Sequence, residues 1–296
     1  MPSENKKYDN NGPLYEKRRR FYEHDAHLKK KAVAEGHSVK ISGSEVILYR
    51  GVSSTNTVIK ELASSGLADR SIVWSQYQSQ GRGRMRRKWD NSKPGRGLLF
   101  SMLIREAGLE ARYAPLYTLF TAAVLAEAVR AETGLQAGIK WPNDMVAGGR
   151  KLCGILSESS LYGNKINYLV IGIGLNVNQK AGDFPLEIRD TSTSLHRETG
   201  RYVSRVRLLK TFLRTWARQT ERLQENGWPY ILEIWKKYEI TLGREIKVIS
   251  EERQLTGRAV DIGATGELIL ETPDGNHIKC LAEDISLGKY YYGKGG

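Results

Sequence analysis

Ile139-Lys140-Trp141-Pro142-Asn143-Asp144 reads as a strand brought to an abrupt stop. The run is strand-like up to Trp141. Pro142 has no amide hydrogen to give a sheet, so it forces the chain out of regular structure. Asn143 and Asp144 are thereby set at a strand end, where α/β proteins commonly gather their ligands. An Asn-Asp pair after proline also looks like an ordinary turn, and these six residues alone do not separate the two readings.

The surroundings give the stretch its fold. Lys151 opens an apolar strand that runs to Ser157, and a second follows over Tyr168–Leu175. On the N-terminal side, Leu116, Leu119, Phe120, Ala123, Val124 and Val129 recur at helical spacing and predict an amphipathic helix over Tyr113–Thr133. Earlier strands are expected at Glu45–Tyr49, Ile72–Trp74 and Leu98–Ile104. Between the first two, Ser54-Thr55-Asn56 can cap a helix that stops at Gly66. Helices over Ser204–Asn226 and Pro229–Tyr238 complete an α+β (α/β) unit spanning residues 45–240. After Ile240 the pattern changes to short strands only, at Arg244–Ser250, Gln254–Ile262, Glu267–Glu271 and Asn276–Leu281. Asp274-Gly275 is a strong hairpin signal. Residues 241–296 are therefore expected to form a small β-barrel. Residues 1–44 read as a basic, partly disordered extension with one helix over Leu14–Ala34. A helix-turn-helix reader needs at least two packed helices.

Bulk properties exclude several classes. The longest nearly apolar stretch, Tyr168–Val177, is far short of the ~20 residues a spanning helix needs. The N-terminus has no apolar signal region, and two cysteines, Cys153 and Cys280, do not make a disulfide framework. A cytoplasmic protein is expected. The net charge of +13 points to an anionic partner: nucleic acid, a nucleotide or an acidic protein. Much of it is concentrated. Arg82, Arg84, Arg86, Arg87, Lys88, Lys93 and Arg96 face one acid, Asp90, in fifteen residues, so this window carries +6. Gly81, Gly83, Gly95 and Gly97 interleave the cations, which makes the window a flexible loop and not a helix face.

That loop, Gly81-Arg82-Gly83-Arg84-Met85-Arg86-Arg87-Lys88-Trp89, can bring backbone N–H groups and guanidinium forks to an anion. It lacks the Gly-Lys-Ser/Thr ending of a P-loop and the spacing of a dinucleotide-binding turn. An exposed nucleic-acid-binding arm remains a second reading of it. Lys151 is either a strand end reaching water or a charge pointed into a site. Gly172 and Gly174, inside Ile171–Asn178, mark either close approach by a ligand or packing against a helix.

In this order (Ser54-Thr55-Asn56, the Gly-Arg-Gly-Arg loop, Lys140–Asp144, Lys151–Leu156 and Ile171–Asn178) the segments resemble the biotin–protein ligases over about residues 46–287. The resemblance is to the form without a DNA-binding domain. It implies the class II synthetase-like mixed sheet with flanking helices and an SH3-like C-terminal barrel. It also implies activation of biotin by ATP, with Mg²⁺ held through the phosphates, and transfer to a lysine of a biotin carboxyl carrier protein.

By that resemblance Ser54, Thr55, Asn56, Gln78, Gly81, Arg82, Gly83, Arg84, Lys151 and Gly154 would bind biotin. Trp89, Lys140, Asn143, Asp144 and Asn176 would bind the nucleotide. Lys151, Arg84, Arg87 and Asp144 would carry the chemistry, and Gln179–Leu195 would close over the nucleotide. A homodimer is compatible with the resemblance, and specific DNA binding is not expected. The lipoate–protein ligases share the fold; the Gly-Arg-Gly-Arg loop and the C-terminal barrel favour biotin. A nucleic-acid-binding protein is the alternative from another class.

Overall fold

The computed structural model describes residues 36–85, 87–90, 93–105, 109–249, 254–281 and 284–286. Its frame is an eight-stranded mixed sheet. The strands are β1 (His37–Ile41), β2 (Ser44–Tyr49), β3 (Ile72–Ser75), β4 (Leu98–Ile104), β5 (Gly138–Lys140), β6 (Asp144–Ala147), β7 (Arg150–Tyr162) and β8 (Lys165–Leu175), in spatial order β1-β2-β3-β4-β8-β7-β6-β5. Only β2 and β3 pair in parallel, and α1 (Thr55–Ser64) makes the crossover between them. The α+β expectation holds, and every strand expected between residues 45 and 175 is present.

Helices cover both faces, so the central strands are apolar on both sides. Seven consecutive residues of β4 are buried, Leu-Leu-Phe-Ser-Met-Leu-Ile, with Ser101 the one polar member. On one face α1 seats Val58 and Ile59 against Val73, Leu103 and Val170. On the other lie α2 (Ala114–Thr133), α4 (Arg205–Asn226) and α5 (Pro229–Lys236); a five-residue helix, α3 (Leu195–Thr199), precedes α4. α2 starts with Pro115 in its first turn, where the missing amide hydrogen costs nothing, and stops at Gly134 in the left-handed conformation (φ 76°). It is sandwiched between the sheet and α4 and α5, which explains why it is apolar almost all round.

Beyond Ile240 the chain forms a five-stranded antiparallel sheet from β9 (Glu245–Ile249), β10 (Gln254–Ile262), β11 (Leu268–Glu271), β12 (His277–Cys280) and β13 (Asp284–Ser286), in order β12-β11-β10-β9-β13. The Asp274-Gly275 signal marks the β11–β12 hairpin, with Gly275 at φ 79°. This small unit is not independent of the large one. Ile246, Val248, Leu268 and Leu270 belong to the same buried cluster as α2 and the main sheet. Trp141 fastens the two together: its backbone N–H donates to Thr241 Oγ1 (2.9 Å) and its indole N–H to the Gly266 carbonyl (3.0 Å).

One expectation changes. The main sheet begins at His37, inside the stretch read as an extension through residue 44, because β1 pairs with β2 along its whole length. β1 is an edge strand with only Ile41 buried, so it lacks the apolar alternation that would have revealed it. Of the two readings left open for Asn143-Asp144, the strand end holds for Asp144, which opens β6 directly opposite Lys140 in β5. The basic helix expected over Leu14–Ala34 lies outside the described residues.

Trp141→Phe keeps an aromatic ring, smaller than the indole, but removes the indole donor and leaves the Gly266 carbonyl without it. Urea unfolding should show a loss of about 1–3 kcal/mol, the usual cost of orphaning a buried polar group.

Candidate active site

A cleft of about 380 Å³ opens at the end of the large sheet where β5–β6, β7 and β8 meet the Gly81–Trp89 loop. Its floor is bare backbone. Gly154 of β7 and Gly174 of β8 are direct cross-strand partners, and the Trp89 indole packs against both. A Cβ at Gly174 would lie 2.5 Å from Trp89 Cε2, and one at Gly154 2.8 Å from Cζ3. Two residues along, a Cβ at Gly172 would lie 2.2 Å from Asn56 Oδ1. Gly172 thus serves packing against a helix, α1, while Gly154 and Gly174 serve close approach by the loop indole. The indole N–H of Trp89 is buried without a hydrogen-bond partner among the described residues, a donor available to a ligand.

One wall is the N-terminus of α1. The Thr55 amide donates to Gln78 Oε1 (2.7 Å), and Ser101 Oγ lies 2.7 Å from Thr55 Oγ1 and 2.5 Å from Asn56 Oδ1. Asn56 Nδ2 donates to the Leu156 carbonyl (3.2 Å) and to Glu158 Oε2 (2.6 Å). The Asn56 Nδ2 group is thus spent on protein partners that hold α1 to β7. Glu158 also pairs with Lys60 (2.7 Å) and with Arg82 of the loop (3.4 Å), and Arg82 donates to Thr57 Oγ1 (3.0 Å). Burial would raise the Glu158 pKa, but hydrogen bonds from Lys60 and Asn56 and the charges of Lys60 and Arg82 outweigh it, so the carboxyl is held below its ordinary range.

The opposite wall is cationic. Lys151 Nζ lies 2.7 Å from Asp144 Oδ1 and 5.7 Å from the centre of the Trp89 ring. Arg84 Nη1 donates to Asn143 Oδ1 (3.2 Å), while Asn143 Nδ2 donates to the Ile155 carbonyl (2.8 Å). Arg87, Lys88 and the buried Lys140 complete this side. The loop closes on itself through Gly83 N–H to Arg87 O (2.7 Å) and Trp89 N–H to Gly81 O (2.9 Å). Burial, with the nearby Asp144, pushes the Cys153 thiol far up, so it stays neutral and packs.

The roof comes from residues 179–195. Lys151 N–H donates to Thr191 O and Thr193 N–H to Lys151 O (both 2.8 Å), so this segment docks on β7 at the site lysine. Phe184, Ile188, Thr191 and Ser192 face the cleft. Asn176, 4% exposed, receives Gln179 Nε2 at 3.2 Å.

Ser54, Thr55, Asn56, Gln78, Arg82, Gly83, Arg84, Arg87, Trp89, Lys140, Asn143, Asp144, Lys151, Gly154 and Asn176 all line this one cleft. Gly81 does not; it forms the neck of the loop, where a Cβ would lie 2.8 Å from Trp89 O. Sequence reasoning missed Ser101 and Glu158. Ser101 carried a signal, as the lone polar residue of an apolar strand. Glu158 sits among polar residues near a strand end and carried none.

The comparisons bear on this geometry directly. Residues 48–176 match the model of the biotin/lipoate A/B protein ligase family, and residues 241–288 that of the biotin protein ligase C-terminal domain. The bifunctional ligase/repressor BirA of Bacillus subtilis is 31% identical over 88% of this chain and 79% of its own. The chain belongs to the biotin protein ligase family. The biotin–[acetyl-CoA-carboxylase] ligase of Paracoccus denitrificans is 30% identical over 78% of this chain and 95% of its own. Among solved structures, the biotin protein ligase of Aquifex aeolicus in complex with biotin and ATP superposes with a TM-score of 0.71 at 27% identity, covering 82% of this chain and 99% of that one. The C-terminal match separates the biotin branch from the lipoate branch. Among the described residues no helix is long and apolar enough to cross a membrane.

The stacking of Trp89 on the glycine floor can be read optically. Gly174→Ala should lift the indole, red-shift its emission and expose it to iodide quenching. The same substitution in a Trp89→Phe background should leave the emission unchanged.

Proposed function

We propose that this ligase joins biotin to ATP, giving biotinyl-5′-AMP and pyrophosphate, and then passes biotin to a lysine of a biotin carboxyl carrier protein. The observation that carries this reading is the meeting of a cationic, glycine-rich loop with a strand-end lysine across one cleft. In the first step the biotin carboxylate attacks the α-phosphorus, so two anions must approach. The cleft wall carries Arg82, Arg84, Arg87, Lys88, Lys140 and Lys151 against Asp90 and Asp144: six cations to two acids, an excess of +4. Fixed positive charge aimed at the reacting centre lowers that repulsion without reorganising solvent.

Ser54, Thr55 and Gln78, at the α1 end, suit the polar ureido ring, with Asn56 holding that wall in place. Arg84 and Arg87 suit the phosphates. Trp89 and Asn176 suit the adenine, and Lys151 lies between the two halves, where carboxylate and phosphate meet. Mg²⁺ is commonly held by one or two carboxylates together with substrate phosphates, and Asp144 and Asp90 are the carboxylates available on this wall. Among the described residues no three ligating side chains cluster, so most of the ligands would come from ATP itself. Its contribution is to offset phosphate charge.

In the second step an acceptor lysine, with a reference pKa of about 10.4, must be oriented and lose a proton. Asp144 serves this step. It pairs with Lys151 at 2.7 Å, and a phosphate drawn to Lys151 would leave its carboxylate to orient and deprotonate the incoming ammonium. The Paracoccus relative's name, which specifies acetyl-CoA carboxylase, supports a carboxyl carrier protein as the acceptor. Incubation with ATP, Mg²⁺, labelled biotin and a carrier domain tests the whole reading; no label on the carrier would reject it.

Two substitutions divide the steps. Asp144→Asn should slow single-turnover transfer from preformed adenylate by about a hundredfold or more, within the range for loss of a general base, and should weaken adenylate binding by less. Arg84→Gly should release biotinyl-AMP faster than the unaltered protein in a filter-binding chase, because it removes both the Asn143 contact and a cation.

A further inference from the structure

The two segments that cover the cleft leave the sheet at different places, yet their bases meet at one joint. The first segment leaves at Gln76, after β3, and returns at Gly97, before β4; Gly95 N–H donates to Gln76 O (3.0 Å), closing its neck. The second leaves after Asn176. Between them sits the N-terminus of α4. Arg205 Nη1 donates to Gln76 Oε1 (2.7 Å) and to the Gly97 carbonyl (3.1 Å), so one guanidinium holds the outgoing and returning strands of the first segment. The same guanidinium stacks over Trp74 of β3 (5.7 Å).

The second segment is tied to the same point. Asn178, 1% exposed, matches its side-chain amide to the backbone of Val203, two residues before Arg205, with both hydrogen bonds at 2.9 Å. Its own N–H donates to Arg96 O (2.9 Å), inside the neck of the first segment. Gln179 reaches back to Asn176 (3.2 Å) and would lie 3.2 Å from a Cβ at Gly97. Gly97 is thus pressed by the second segment while Arg205 holds its carbonyl.

We propose that Arg205 is a positioning residue that couples the two covering segments, so that ordering one over its half of the substrate favours ordering the other. Arg205 does not line the cleft and touches no reacting atom. Its guanidinium is half-buried; burial lowers its pKa, and Tyr202 opposes that shift. Arginine stays charged at any working pH. The charge-assisted bonds to Gln76 and Gly97 therefore hold the neck under all conditions in which the enzyme works. Coupling of this kind is a binding free energy shared between two sites and must appear reciprocally in both affinities.

The inference rests on the ligase reading. Its test is a pair of measurements on the full chain: biotin affinity with and without a non-hydrolysable ATP analogue, and the rate at which preformed biotinyl-AMP is released. In R205Q the enhancement of one ligand's affinity by the other should fall towards unity. Adenylate release should quicken by about tenfold or more, as expected for lost hydrogen bonds to a charged group. R205K, which keeps a cation within reach of Gln76, should recover part of both. A merely structural role would lower thermal stability without changing the coupling. Wild-type coupling and release in a folded R205Q overturn the proposal. Should R205Q fail to fold, Q76M removes the partner instead and is judged by the same two outcomes. Unaltered protein that forms no adenylate overturns the ligase reading itself, a result distinct from adenylation with unchanged coupling.

Discussion

An indole lying on two facing glycines fixes the geometry of this cleft. Gly154 and Gly174 are in register across β7 and β8, so their missing side chains leave one patch of bare backbone near the end of the sheet. Only an aromatic ring can cover such a patch closely, and Trp89 does so at a distance no Cβ would permit. The patch sets the height at which the loop comes to rest, and that height puts Arg84 within reach of Asn143 and Trp89 beside Lys151. The site is dense in cations because this resting position brings loop cations and strand cations to the same place. The two glycines weaken their strands, and the helices covering both faces of the sheet provide the burial that offsets it.

The small C-terminal sheet acts on the same site through Trp141. That residue precedes the proline that ends β5, and its two hydrogen bonds run to Thr241 and Gly266. The strand end that carries Asn143 and Asp144 is therefore held from below by the second unit. The wall opposite the loop is built into the core on this side. Shared burial of Ile246 and Leu268 with the α2 core makes it so.

Much of this was legible in the residues, for reasons that differ from place to place. The strands over 45–175 and the helix Ala114–Thr133 announced themselves by period and by stop signals. The site residues announced themselves by type: cations among glycines, and a proline at a strand end. Two things were not legible. β1 is an exposed edge strand whose side chains need no apolar alternation. Glu158, the partner of Arg82, Lys60 and Asn56, looks from sequence like any polar residue near a hairpin, because its role exists only once α1 and the loop are brought against β7. Local pattern reports which residues are buried or turned; it does not report which distant side chains meet.

The net charge of +13 admits two readings, and the structure distributes it between them. Six cations against two acids on the cleft wall account for an excess of +4 at the place where substrate charge would be greatest. Two of the six cations are paired with carboxylates, Arg82 with Glu158 and Lys151 with Asp144. The acids in and behind the wall thus set where two of these cations stand: Glu158 holds Arg82 of the loop against α1 and β7, and Asp144 holds Lys151 at the strand end, so the positive charge of the cleft is fixed in place by side chains from three separate elements.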